Sequence, residues 1–262
     1  MIQISVIIPT IGRDSLMAAI DSILAQGDLI HEVIVVGSKP GLKLDFRSPK
    51  VSFVEASSFG NISNARNTGL KHVSPSSNFI GFCDDDDLWL EDKVNLQLKA
   101  LDINDWDACL TAAQLIDDTG RESVRPSKPY LGEYSPLTFI YGFRSRRKKY
   151  FPFPSLLCAA KPINTLRFDE KLAEREDLRF LEDIYNLNLK IGQLAQPLVR
   201  ISSDPVRSIK RVSFRNDLNW TLSLWKTSIS AALNFLVFVS IRNQFFKTFS
   251  FLTSQFKNSG LK

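Results

Sequence analysis

An α/β domain built on a largely parallel, helix-covered sheet is what this sequence predicts, and three observations predict it. Short β-branched runs alternate with stretches of helical periodicity through the first 115 residues. Each early run ends at a turn or breaker: Pro9 after the first, Gly37-Ser38 after the second, a block of aspartates after the fourth. The runs are also predominantly apolar, as strands covered by helices on both faces are.

The elements follow in order. Ile4 to Ile8 reads as a buried strand. Asp14 to Gln26 places Leu16, Ile20, Ile23 and Leu24 on one helical face, and Gly27 stands where that helix ends. Val33 to Val36 and Val51 to Val54 are the second and third strands. Asn61 or Ser63 caps a helix running through Ala65 and Leu70. Phe79 to Cys83 is the fourth strand and runs directly into Asp84, Asp85, Asp86 and Asp87. Val94, Leu98 and Leu101 form the buried stripe of the next helix.

Beyond residue 115 the alternation weakens. Five prolines between Asp117 and Pro154 mark an irregular excursion. Order returns at Ser155, with a helix beginning near Ala173 and a last strand at Leu198 to Ile201. From Asn216 the chain is helical and aromatic. This divides the protein into a domain over 1–215, with halves at 1–115 and 116–215, and a helical extension over 216–262.

Composition sets the outer limits. The chain has 262 residues, 44% of them hydrophobic and 23% charged, which suits one sizeable core and not a disordered chain. The net charge of +5 is mild, and its clearest cluster is Arg144, Arg146, Arg147, Lys148 and Lys149. Such a cluster serves nucleic acid, anionic lipid or a phosphorylated substrate, or is a solvated loop. Cys83, Cys109 and Cys158 have neither metal nor redox spacing and read as reduced, buried thiols of a cytosolic compartment. The opening MIQISVIIPT lacks the features of a signal peptide.

Four aspartates at the end of a buried strand repel one another unless something positive sits among them. Mg²⁺ or Mn²⁺ bridging to a diphosphate resolves that repulsion; a solvated acidic turn before Trp89 is the plainer alternative. In an open α/β sheet, ligands bind beyond the carboxyl ends of the strands, where these acids lie. His31 and His72 read as surface or satisfied histidines. No GxxxxGK[ST], HExxH or GxSxG occurs, which argues against P-loop ATPases, zinc proteases and α/β-hydrolases.

Taken in order, SVIIPTIGR, EVIVVGS, NISNARNTGL and FIGFCDDDDLWLEDKV resemble the nucleotide-binding half of the inverting glycosyltransferase family 2. FDEKLAEREDLRFL, followed by the strand PLVRI, resembles that family's acceptor-side segment. The resemblance implies a GT-A fold, a Rossmann-like and mostly parallel sheet with helices on both faces. It also implies transfer of a sugar from a nucleotide-diphosphate donor to a glycan or lipid-linked acceptor, with inversion, as in bacterial surface-polysaccharide or glycolipid assembly. By family position, Asp84 and Asp86 hold the metal, chiefly Asp86. Pro9, Thr10, Ser38, Arg66, Asp84, Asp85 and Asp86 hold the nucleotide sugar. Glu176-Asp177 supplies the base, Asp177 the better candidate, with Glu182-Asp183 as rival. Residues 1–115 become the nucleotide half and 116–215 the acceptor half. No nucleic-acid partner is implied.

One departure stands out. Val35-Val36-Gly37-Ser38 carries no acid where the family usually has an aspartate pair contacting the base, so UDP is only the default nucleotide. Two other readings stay open: a non-catalytic sugar-nucleotide-binding or scaffold protein of the same fold, and a nucleotidyltransferase.

The tail bears on location. Fifteen uncharged residues separate Lys226 from Arg242. As a helix they reach roughly 22 Å, short of the ~30 Å hydrocarbon core. Within one helix over residues 235–256, Phe235, Phe238, Phe245, Phe246, Phe249 and Phe256 share an arc. That stripe fits either a peripheral contact with the inner face of the cell membrane or packing on the domain.

Overall fold

The computed structural model describes residues 2–117, 119–141, 149–172 and 174–202, together with Trp220, Leu222, Leu224, Ala232, Leu233 and Phe235. Among these run β1 (Ile4–Thr10), α1 (Leu16–Leu24), β2 (Ile30–Gly37), β3 (Val51–Glu55), α2 (Ile62–His72), β4 (Phe79–Phe82) and β5 (Asp87–Trp89). Then come α3 (Lys93–Asn104), β6 (Ala108–Ile116), β7 (Glu122–Arg125), α4 (Pro136–Tyr141), β8 (Leu157–Ala159), α5 (Ala160–Ile163), α6 (Glu176–Asn186) and β9 (Ile191–Ser202).

One sheet joins the strands in the order β3-β2-β1-β4-β8-β6-β9-β5, with β7 on the edge of β6. β3, β2, β1 and β4 pair in parallel, as do β6 and β9. The antiparallel ladders, β4–β8, β8–β6, β5–β9 and β6–β7, are short. The parallel ladders carry most of the paired residues, as the alternating strand-helix pattern predicts.

The continuous apolar runs are explained by what covers each face. Successive residues of a strand point to opposite sides. Ile7, Ile34 and Val36 enter one core with Ala65 and Leu70 of α2 and Leu178, Phe180 and Ile184 of α6. Val6, Ile8, Val33 and Val35 enter the other with Leu16, Ile20 and Ile23 of α1 and Val94 and Leu101 of α3. α2 lies so close to β1 that a Cβ on Gly69 would fall 2.4 Å from Ile7 Cγ2. Asn61 caps α2, its side chain accepting from Asn64 N at 3.0 Å. All three cysteines are free and buried.

Several elements differ from the sequence reading. The helix expected near Ala173 begins at Glu176, after Arg175 in the left-handed region at φ 64°; Ala173 lies outside the described residues. The last strand starts at Ile191, seven residues before Leu198, because its first half pairs with β6. β6 itself, and the three-residue strands β5 and β8, carry no strong local signal and exist through long-range pairing. The basic cluster at Arg144 to Lys148 lies outside the described residues. Lys149, its last member, donates to Phe139 O at 2.6 Å.

One buried cation makes a stability prediction. Lys93 is fully buried; its Nζ sits 3.6 Å from the centroid of the Trp89 ring and donates to Gln97 Oε1 at 2.7 Å. Among the described residues no carboxylate pairs with it, and burial lowers its pKa to about 7. An unfolded lysine titrates near 10.4. Below pH 7 both states are charged, so the cost of burial is complete. As pH rises from 7 towards 10.4 the unfolded chain binds more protons, and stability rises. The melting temperature of the parent should therefore gain on that of Lys93→Met over this window. A gap that stays constant with pH would show that Lys93 keeps its charge in the fold.

Candidate functional site

The predicted residues gather beyond the carboxyl ends of β1, β2 and β4 and at the start of α6. Pro9 and Thr10 end β1, and Ser38 follows β2. Asp84 to Asp86 form the turn between β4 and β5, and Asp87 opens β5.

The four aspartates do different things. Asp85, 1% exposed, accepts from Thr10 Oγ1 at 2.6 Å and from Arg13 Nη1, and Ile11 N stands 3.4 Å away. Gly12 N in turn donates to Thr10 Oγ1 at 2.9 Å. Asp85 thus fastens the loop after β1 to the acidic turn. Asp84, Asp86 and Asp87 each offer a carboxylate oxygen within 4.8 Å of the others. Asp87 also accepts from Ser202 N at 3.3 Å, which anchors the cluster to β9.

Two arginines answer the repulsion. Arg13 pairs with Asp85 and reaches Asp86 at 4.0 Å. Arg66, 3% exposed on α2, donates to Asp84 Oδ1 at 3.0 Å and to Glu176 Oε1 at 2.8 Å. Its guanidinium carbon lies 4.7 Å from the Phe153 ring and 5.4 Å from the Phe168 ring. Burial works against the Arg66 cation, but Asp84, Glu176 and Asp177 outweigh it and raise its pKa above the ordinary arginine value. One planar cation therefore ties the acids after β4 to the acids that open α6.

A cavity of about 220 Å³ opens between these groups, lined by Arg66, Asp84, Asp87, Tyr150, Glu176 and Asp177 among others. Asp177 is partly buried, and one carboxylate oxygen accepts from Leu178 N at 2.7 Å. Burial, then the charge of Glu176 beside it, push its pKa up to about 6, against the pull of Arg66. The rival pair is placed otherwise. Glu182 is 2% exposed and accepts from Leu137 N at 3.0 Å. Asp183 pairs with Arg179 one turn back at 3.0 Å.

Ser38 is engaged in holding its own loop: its N donates to Thr10 O at 2.8 Å, and its Oγ accepts from Gly60 N at 3.1 Å. Gly37 leaves no space for an acid, since a Cβ there would stand 2.7 Å from the Phe53 ring.

Sequence reasoning missed Arg13 and the aromatic bed of Phe153 and Phe168; it counted Asp87 among the four aspartates but did not place it with Asp84 and Asp86 as a metal ligand. The one available signal for Arg13 was electrostatic: four acids require cations, and Arg13 follows the strand that faces them.

In the tail, Phe235 is buried and meets the Tyr141 ring edge-on at 5.1 Å. Trp220, Leu224 and Ala232 join the same core as α6. The remainder of the phenylalanine stripe lies outside the described residues. No helix among the described residues is long and apolar enough to cross a membrane.

Comparison with known proteins adds three findings. The family model described as glycosyl transferase family 2 matches residues 5–164. A curated "uncharacterized glycosyltransferase" of Rickettsia bellii is 33% identical over 126 residues, 45% of this chain and 18% of its own length. Its counterpart in Rickettsia felis is 30% identical over 131 residues, 47% of this chain and 21% of its own length, so the match spans about a fifth of these relatives. Among solved structures, S. aureus TarS 1-349 superposes with TM-score 0.60 at 20% identity, over 89% of this chain and 68% of that one. Its complex with UDP-GlcNAc superposes with TM-score 0.62 at 20% identity, over 89% and 69%. At that identity the likeness is one of fold.

Proposed function

The chain belongs to glycosyl transferase family 2, and from that premise we propose that it moves a sugar from a nucleoside-diphosphate donor to a hydroxyl of a glycan or lipid-linked acceptor, with inversion at the sugar carbon. The observation that carries this reading is one cavity with a carboxylate cluster on one side and the Glu176-Asp177 pair on the other, bridged by Arg66.

The acidic cluster fits a hard divalent cation, Mg²⁺ or Mn²⁺: its donors are all carboxylate oxygens, and three residues offer them within 4.8 Å. Asp84 and Asp86 would hold the ion with Asp87 beside them, and bound there it would neutralise the diphosphate that departs. Arg13 and Arg66 add fixed positive charge on the same side. Asp85 serves the donor indirectly, by fixing Thr10 and Arg13 in place. Pro9 and Ser38 shape the floor on which the nucleotide lies. UDP is the first nucleotide to test, because the similar fold of TarS was solved with UDP-GlcNAc.

On the acceptor side, Asp177 takes the proton of the attacking hydroxyl as the hydroxyl oxygen bonds to the sugar carbon and the carbon–diphosphate bond breaks. A carboxylate with a pKa near 6 is well matched to proton transfer at neutral pH. Protonation disables a base, so the transfer rate should rise with pH through an acidic limb near 6 and level off above it. A rate that is flat from pH 5 to 8 would remove Asp177 from this role.

The deciding experiment incubates the full chain with a panel of sugar nucleotides, with and without Mn²⁺. Release of a nucleoside diphosphate supports transfer or its hydrolytic side reaction. Release of pyrophosphate would make the protein a nucleotidyltransferase. Stabilisation by a donor with no turnover would make it a binding protein of the same fold.

A further inference from the structure

A second cavity, larger than the acidic one, lies elsewhere. It measures about 410 Å³ and lies where β6 and β9 begin, walled by Asn104, Trp106, Tyr130, Leu131, Tyr185 and Asn188 among others. β9 connects the two cavities: Ile191 lines this one and Ile201 lines the acidic one. Because β9 bulges after Leu194, that stretch spans only the seven steps of β6 from Ala108 to Leu115, about 23 Å, so a single sugar bound here touches none of the transfer machinery.

The walls are firm. The Trp106 ring lies flat against bare backbone, since a Cβ on Gly192 would fall 2.2 Å from it. Gly132, at φ 82°, brings the loop of Leu131 against the start of β9, where a Cβ would stand 3.2 Å from Ile191 O. Tyr130 is fully buried and donates its hydroxyl to Tyr134 O. Rings and backbone are thus held in position before any ligand arrives.

The chemistry of the lining points to one ligand class. Trp106 and Tyr185 provide aromatic surface, and Tyr185 is 37% exposed. Among the described residues, the Trp106 indole N–H, the Tyr185 hydroxyl and the Asn188 side-chain amide make no hydrogen bond within the protein. These are a donor, a donor-acceptor and a planar amide with both functions. The nearby charges are negative on balance: Lys190 Nζ is taken up by Asp105, and Asp107, which accepts from Lys190 N at 2.8 Å, adds a second carboxylate. Nothing here would reward an anion, so a nucleotide or an acidic lipid headgroup is a poor match. A neutral saccharide is a good one, with apolar ring faces for the aromatics and hydroxyls for the open polar groups.

We propose that this cavity is a saccharide subsite remote from the transfer site, which holds a neutral segment of an oligosaccharide. The idea rests on the reading of the protein as a sugar transferase but does not require turnover. Holding a growing chain at a second point would raise the local concentration of its acceptor end.

The test uses the full chain, an array of neutral oligosaccharides, and calorimetry on those captured. We expect at least one to bind, and its affinity to fall at least tenfold in both Tyr185→Ala and Asn188→Ala. Asp86→Asn should bind it as the parent does, and Tyr185→Ala should hydrolyse donor at the parental rate. Should transfer never be detected while binding still depends on Tyr185, the subsite stands and the catalytic reading fails. The proposal is overturned if no neutral saccharide binds or if binding survives both substitutions. A shift from dimer to monomer in Tyr185→Ala, seen by sedimentation without saccharide binding, would make this face a contact between copies of the chain.

Discussion

Asp86→Asn is expected to lower sugar transfer by at least about 10²-fold, the cost of losing one fixed partner of a developing charge. Metal-dependent donor binding should fall with it. The reason is geometric. Of the four aspartates, Asp85 is taken up by Thr10 and Arg13, whereas Asp84, Asp86 and Asp87 point oxygens at a common volume. The amide keeps the size of the carboxylate but removes the charge that a hard cation requires. Folding should not suffer, because one of three crowded like charges disappears. Asp85→Asn makes the contrast: it breaks the pairing of a buried carboxylate with the partly exposed Arg13, so its main effect should be on melting temperature. Calorimetry of donor binding with and without Mn²⁺, beside the two melting curves, separates these outcomes. Full activity of Asp86→Asn, or of the parent in excess chelator, would end the metal reading.

The nucleotide half was legible because its signals are local. β1, β2, β3 and β4 are apolar runs closed by breakers, and α1, α2 and α3 carry buried stripes at helical spacing. The second half hides its strands. β6 is alanine-rich with only Thr111 and Ile116 β-branched, and β9 contains Gln193, Gln196 and Pro197, so neither has the β-branched density of β1. They are strands because they lie side by side, with register shifts near Thr111 and Ala112. The same divide runs through the site. The aspartates were found because four acids in a row are costly. Arg13 and the rings of Phe153 and Phe168 were not, because an arginine in a loop and two phenylalanines have no meaning until folding sets them against Asp85 and Arg66.

The roles of Asp177 and Asp183 offer the sharpest remaining test. Six residues apart on α6, they point some 120° from each other, and only one can face an acceptor hydroxyl. Asp177 lines the cavity that contains Arg66 and Asp84. Asp183 is bound to Arg179 on another side of the helix. Asp177→Asn should therefore lower turnover by roughly 10² or more, the usual loss on removing a general base. Donor affinity should change little, since the base acts on the acceptor, and the acidic limb of the pH profile should vanish with the group that produces it. Asp183→Asn gives up a partly exposed i,i+4 ion pair, worth about half a kcal/mol or less, and should turn over almost like the parent. Initial rates across pH for both variants, with donor affinity by calorimetry, decide the matter. A dead Asp183→Asn beside a healthy Asp177→Asn would move the base to the other pair and leave Arg66 and Glu176 a purely structural bridge.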